Sequence, residues 1–146
     1  MQVKAPAPAL PRMALMLVAA STLAEHHRRC DALFAAARAA AAEAEWSLLA
    51  ARMGALREAV LAHFRHEEER IFPLYEETSG KEGATEALCA QHDDMRAALW
   101  ILATLSPEAE PGRYRAELAE LQAAFDTHAA DEESRMYPVF ERVLGR

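Results

Sequence analysis

The sequence predicts an all-α fold, an antiparallel up-down-up-down four-helix bundle behind a flexible, Pro-rich N-terminal tail. Three observations carry this. Alanine, leucine, glutamate and arginine dominate the 146 residues, while glycine and proline number 5 and 7; the first group loses little rotamer freedom in a helix. Apolar positions recur every three or four residues rather than every two. Four such segments are joined by short breaks, the spacing of a bundle of antiparallel neighbours. The length fits one domain with a single substantial core.

The stretch VKAPAPALP, from Val3 to Pro11, reads as flexible and partly extended, so residues 1–12 are assigned to the tail and 13–146 to the bundle domain. MALMLVAA, residues 13–20, is apolar enough for the core of a signal peptide and follows Arg12. It also continues the apolar stripe of the first helix, and it falls well short of the roughly 20 residues that span a bilayer. That stripe runs Met16, Leu23, His27, Cys30, Phe34, Ala41. The second runs Leu49, Met53, Leu56, Val60, His63, Glu67, Ile71. The boundary between them, with no Gly or Pro to mark it, is placed near Ala42 to Trp46. After SGKEG at 79–83 come Leu88, His92, Met95, Leu99 and Leu102; after SPEAEPG at 106–112 come Leu118, Leu121, Phe125, His128, Glu132 and Met136. Pro73 and Pro138 are expected to end or kink the second and fourth helices. Phe64, Phe72, Tyr75, Tyr137 and Phe140 are expected to pack in the core or at its ends.

The formal net charge of -7 argues against a nucleic-acid partner, since phosphate binding rests on clustered Lys and Arg. Two cysteines, Cys30 and Cys89, make no disulfide framework, and a reducing cytoplasm is the expected compartment, with no membrane partner. Both read as small buried apolar side chains.

An internal repeat organises the rest. HFRHEEERIFPLYE from His63 aligns without gaps on HAADEESRMYPVFE from His128, an offset of 128 − 63 = 65, and the same offset carries His27 onto His92. Each half is a helical hairpin with one histidine on its first helix and an HxxxE pair on its second. Residues four apart share a helix face, so His63 with Glu67, and His128 with Glu132, point into the bundle together. Unpaired carboxylates in an apolar core lose their hydration, and two facing each other are worse. A bound cation removes the conflict. With His27 and His92 the set is four imidazoles and two carboxylates, which suits two metals bridged by Glu67 and Glu132, leaving room for a bridging oxide or hydroxide and an exchangeable position. Mixed ligation of this kind favours iron or manganese over structural zinc.

His26 competes with His27, but the stripe passes through 23, 27 and 30, which favours His27. His66 falls off the stripe and Glu69 reads as a solvated charge. Glu68 and Glu133 lie about 100° round the helix from the neighbouring ligand candidates and are candidates to hydrogen-bond a ligand imidazole. No nucleophile, general-base pair or substrate cleft is legible beyond these residues, which favours binding or sensing over turnover.

The pattern H…HxxxE…H…HxxxE, with HFRHEEERIFP and HAADEESRMYP, resembles the hemerythrin-like (HHE cation-binding) family, and EHHRRCDALF resembles the first-helix signature of its bacterial single-domain members. The resemblance runs from about Leu15 to Leu144. It implies a non-haem di-iron centre, oxo- or hydroxo-bridged, that binds oxygen, nitric oxide or peroxide, with His27, His63, Glu67, His92, His128 and Glu132 as ligands and manganese or zinc as substitutes. Any enzymatic activity it implies is redox chemistry on peroxide or nitric oxide. A regulatory interaction module, answering to iron or redox state through an unidentified protein partner, is the alternative. Oxygen carriers of the family have a second His on the third helix and an Asp on the fourth where this chain has Arg96 and Glu133. That departure weighs against reversible oxygen carriage.

Overall fold

The computed structural model describes residues 9–143 of the chain. They form helices α1 (Ala9–Ala42), α2 (Trp46–His66), a π-helical turn (Glu67–Ile71), α3 (Phe72–Ser79), α4 (Glu86–Thr104) and α5 (Pro111–Val143). No strand occurs among the described residues. Because α2, the π turn and α3 follow without interruption, the architecture is four rods, as the periodicity predicts.

The first eight residues of the expected tail, and residues 144–146 of the expected domain, lie outside the described residues. Residues 9–12, also expected in the tail, are the first turn of α1 instead. Pro11 is tolerated there because the first N–H groups of a helix have no intrahelical acceptor to lose. MALMLVAA is helical, with Met16 and Ala19 buried and Leu15 and Val18 exposed.

The join between the first two rods falls where it was expected, and its chemistry explains why no glycine marks it. Glu45 N–H donates to Ala40 O at 3.0 Å and Ala44 N–H to Ala41 O at 3.3 Å, the paired bonds of a Schellman motif. The motif needs a left-handed residue, and Ala44 supplies it at φ 54°. A Cβ in that region is strained by roughly 1–2 kcal/mol.

Neither internal proline ends its helix. The second rod continues past Pro73 to Ser79, where Gly80 at φ 69° closes it. The turn just before Pro73 is π-helical, with Phe72 N–H reaching Glu67 O. A wider turn is the form in which a helix absorbs a residue that lacks its own N–H and crowds the carbonyl four positions back. Pro138 lies inside α5, whose α-helical geometry continues to Val143. The connection to α4 is held by Glu76, whose Oε1 accepts from Thr85 N–H at 3.1 Å and Thr85 Oγ1 at 2.7 Å.

The core divides in two. One apolar cluster includes Phe34, Leu56, Phe64, Leu99, Leu118 and Phe125; the other includes Met16, Leu23, Ile71, Phe72, Leu88, Met136 and Phe140. Along every rod the two sets are separated by His27, by His63 and Glu67, by His92, or by His128 and Glu132. Apart from Thr85, those six are the only buried polar residues among the described residues. The bundle is thus two apolar plugs with one polar layer between them.

Replacing Ala44 with Gly removes the left-handed strain while adding unfolded-state entropy, and the first effect is the larger. The Ala44→Gly variant is expected to gain about 0.5 kcal/mol in urea denaturation, and Ala44→Val to lose stability.

Candidate metal centre

Each rod contributes to the polar layer from a position its own pattern makes inward-facing. His63 Nε2 lies 2.9 Å from Glu67 Oε1 and His128 Nε2 lies 3.1 Å from Glu132 Oε2, the contacts expected of residues four apart on one face. The single histidines close the layer: His92 Nε2 is 3.2 Å from Glu67 Oε1, and His27 Nε2 is 3.3 Å from Glu132 Oε1. His92 Nε2 and His128 Nε2 stand 3.0 Å apart. All six predicted residues are brought together. They fall into two overlapping groups, His27, His63, Glu67, Glu132 and Glu67, His92, His128, Glu132, within each of which one ligand atom per residue lies within 4.8 Å of the others. Both carboxylates belong to both groups.

The outward nitrogens show which way these rings present their lone pairs. His27 Nδ1 donates to Glu133 Oε1 at 2.8 Å, His92 Nδ1 to Glu68 Oε1 at 3.2 Å, and His128 Nδ1 to Gln91 Oε1 at 2.6 Å. His63 Nδ1 meets His26 Nδ1 at 3.3 Å. An acceptor oxygen on Nδ1 requires the proton there, so in neutral rings Nε2 of His27, His92 and His128 turns a bare lone pair inward. Those lone pairs face each other and the carboxylate oxygens. Nε2 of His27 and His63 and all four oxygens of Glu67 and Glu132 are buried without a hydrogen-bond donor. Converging electron-rich atoms that lack hydrogen-bond donors from the surrounding protein are what a cation completes, so the residues fit a metal.

Electrostatics agree. Burial and the facing Glu132 push Glu67 well above the ordinary carboxylate range. Burial pushes Glu132 up as well, but contacts with Glu67, His128 and His27 outweigh it and hold it below that range. Without a metal the pair therefore keeps one proton. Burial lowers His63 to about 3 and His92 to about 4, so both are neutral. For His27 the contacts with Glu132 and Glu133 overcome burial and raise it.

The residues around this layer are where the sequence reading is extended. Glu68 and Glu133 hold imidazoles as expected, and each holds the histidine of the other half. His26, the weaker ligand candidate, is the partner of His63 instead, and its repeat counterpart Gln91 plays that part for His128. His66 is half-buried with its ring edge-on to His26, and Glu69 is exposed. Cys30 is buried, Cys89 half-buried, and both are free thiols. Burial raises the Cys30 thiol to about 12, which keeps it protonated.

Arg96 has a definite role. Its guanidinium bonds Glu68 Oε2 at 2.6 Å and sits 5.5 Å over the Phe64 ring, which stacks on His92 at 4.0 Å. Arg96, Glu68, His92 and Phe64 thus form a closed ring of contacts that fixes the imidazole plane. Arg96 is one-third exposed, so solvent screens the pair. Arg96→Met keeps the apolar stem over Phe64 but removes the charge; it is expected to lower stability by about 1 kcal/mol in denaturant titration, with Arg96→Ala losing more through packing.

No curated protein and no solved structure matches the chain. The family model for the hemerythrin HHE cation binding domain matches residues 18–140, a span that contains all six buried His and Glu residues, and the chain belongs to that family.

Proposed function

We propose that the chain is a non-haem di-iron protein that binds a diatomic gas or peroxide at the polar layer, with His27 and His63 serving one iron, His92 and His128 the other, and Glu67 and Glu132 bridging both. The observation that carries this is the sharing of two buried carboxylates between two histidine pairs, three of whose four rings turn an Nε2 lone pair inward. Imidazole with carboxylate at such a site suits iron better than zinc, whose structural sites favour four tetrahedral ligands richer in thiolate.

Iron bound there supplies a redox-active Lewis acid able to take a small ligand. The chain's own residues do the remainder. Glu133, Glu68, Gln91 and His26 fix the ring orientations from outside, so little reorganises when the metal arrives. The apolar clusters on either side, with Phe64 and Phe125 against the imidazoles, exclude bulk water and strengthen every interaction within. Two ions held by these six side chains would have positions left for an exogenous ligand. Arg96 takes the place of a further imidazole and engages Glu68 rather than the centre, which supports reaction with peroxide or nitric oxide over reversible oxygen carriage.

Protein purified aerobically is expected to hold about two irons per chain, by elemental analysis, and to show oxo-to-iron charge-transfer absorption; metal-free protein whose melting point ignores added ferrous iron would defeat the proposal. Glu67→Ala and Glu132→Ala should each abolish the two-metal centre while Glu69→Ala retains it. Iron binding must displace the proton that Glu67 retains and any on His27, whereas His63 and His92 have none to lose near neutrality. Apparent affinity should therefore rise with pH through the neutral range, and calorimetry in buffers of different ionisation enthalpy should show proton release. A pH-independent affinity would contradict the shared proton.

A further inference from the structure

Two recesses flank the polar layer, and the 65-residue repeat relates them. The smaller, about 160 Å³, lies between α1 and α2 and reaches His63; each residue lining it has a counterpart 65 positions on that lines a larger groove, about 530 Å³, between α4 and α5. The larger groove ends at His128 and its partner Gln91. The halves have diverged in charge. Where the small recess has Arg29 and Glu58, the large groove has Asp94 and Ala123, and farther along it adds Glu117 and Glu120. No Lys or Arg lines it. Among the described residues, Asp94, Glu117 and Glu120 have no ion pair or hydrogen bond.

The carboxylates sit at two levels. Gln91 meets His128 and the helices run antiparallel across a short connection, so Asp94 stands near the level of Phe125. Glu120 and Glu117 follow five and eight residues farther, about 8 and 12 Å at the rise of an α-helix. Between the two levels the wall is Met95, Ala98, Leu121 and Ala124. The volume is within the roughly 300–1,000 Å³ typical of small-molecule sites.

We propose that this groove binds a linear aliphatic diamine or polyamine, with one ammonium at Asp94, another at Glu117 and Glu120, and the methylene chain along the apolar wall between them. An anion is repelled by all three carboxylates, and a monoamine leaves one level uncompensated. A second copy of the chain, itself at net charge -7, is disfavoured by overall charge repulsion. Field focusing by a cleft lined with one sign of charge favours the cation further. The proposal does not rest on metal occupancy, although a ligand beside Gln91 stands one hydrogen bond from His128.

The test is calorimetric titration of the full chain, with and without iron, at low salt, with three probes of equal chain length: 1,8-diaminooctane, octylamine and octanoate. The diamine should bind about fivefold tighter than octylamine, the worth of one favourable exposed ion pair, and octanoate should not bind. Asp94→Asn should reduce the diamine to the affinity of octylamine, and Glu117→Gln with Glu120→Gln should weaken it about fivefold. These isosteric changes, at exposed Asp94 and Glu120 and half-buried Glu117, are checked for an unchanged melting curve. Ala98→Phe, which fills the groove, should abolish binding of both amines. Equal binding of diamine and octylamine, binding of octanoate, affinities indifferent to the carboxylate variants, or occupation of the groove by a second copy in sedimentation would each overturn the proposal.

Discussion

The constraint on which this structure depends is the burial of two carboxylates against four imidazoles at the centre of a 146-residue bundle. An isolated carboxylate in a medium of low polarity is disfavoured by several kcal/mol even after relaxation. Glu67 and Glu132 are both fully buried, and each faces the other. Protonating one relieves part of the penalty. It leaves the inward lone pairs of His27, His92 and His128 opposed, because their protons are committed outward. Only positive charge placed among them satisfies all the groups at once, which ties the polar layer to the cation-binding character of the family.

The rest of the fold serves that layer. Splitting the core into two apolar clusters puts the charged groups where water is excluded from both sides, so the ring orientations must be held by the protein rather than by solvent. Four outward hydrogen bonds do this, and two of them cross between halves: Glu133 to His27 and Glu68 to His92. The π-helical turn begins at Glu67 itself, directly after the turn bearing His63. It carries the second rod through the centre and past Pro73 without breaking the rod, which keeps Ile71, Phe72 and Tyr75 in the same apolar cluster as Met16 and Phe140.

The fold and the inner six residues were legible because period and repeat are encoded locally. Helical spacing places His63 with Glu67, and a second copy in register removes the reading of a chance charge run. What was not legible depends on tertiary proximity or backbone strain. Nothing in the sequence near Ala44 announces a left-handed alanine, since glycine is the usual signal. Pro73 signals a break, and the π turn that averts one has no residue signature of its own. Arg96 was visible only as a departure from a family pattern; its contact with Glu68 bridges 28 residues and needed the packing of Phe64 to define it. Gln91 could have been found, because the repeat pairs it with His26 and both can accept from an imidazole Nδ1. The groove that reaches His128 has no sequence signal, being the space left where two helices carry alanines at Ala98, Ala123 and Ala124.

The repeat also indicates where such a bundle has freedom to change. Inside the layer the two halves are identical in kind, His with His and Glu with Glu, because charge balance among buried groups leaves almost no alternative. One shell outward Glu68 matches Glu133 and Ala59 matches Ala124, but four other pairs differ: His26 against Gln91, Arg29 against Asp94, Cys30 against Met95, Glu58 against Ala123. Those positions touch the imidazoles or line the recesses beside them without bearing the central charge. A substitution there alters what approaches each half without unbalancing the centre. The duplicated hairpin therefore supplies two equivalent approaches to one layer, and the differing residues make one of them narrow and of mixed charge, the other wide and acidic. A small molecule approaching this layer would therefore meet two unequal faces.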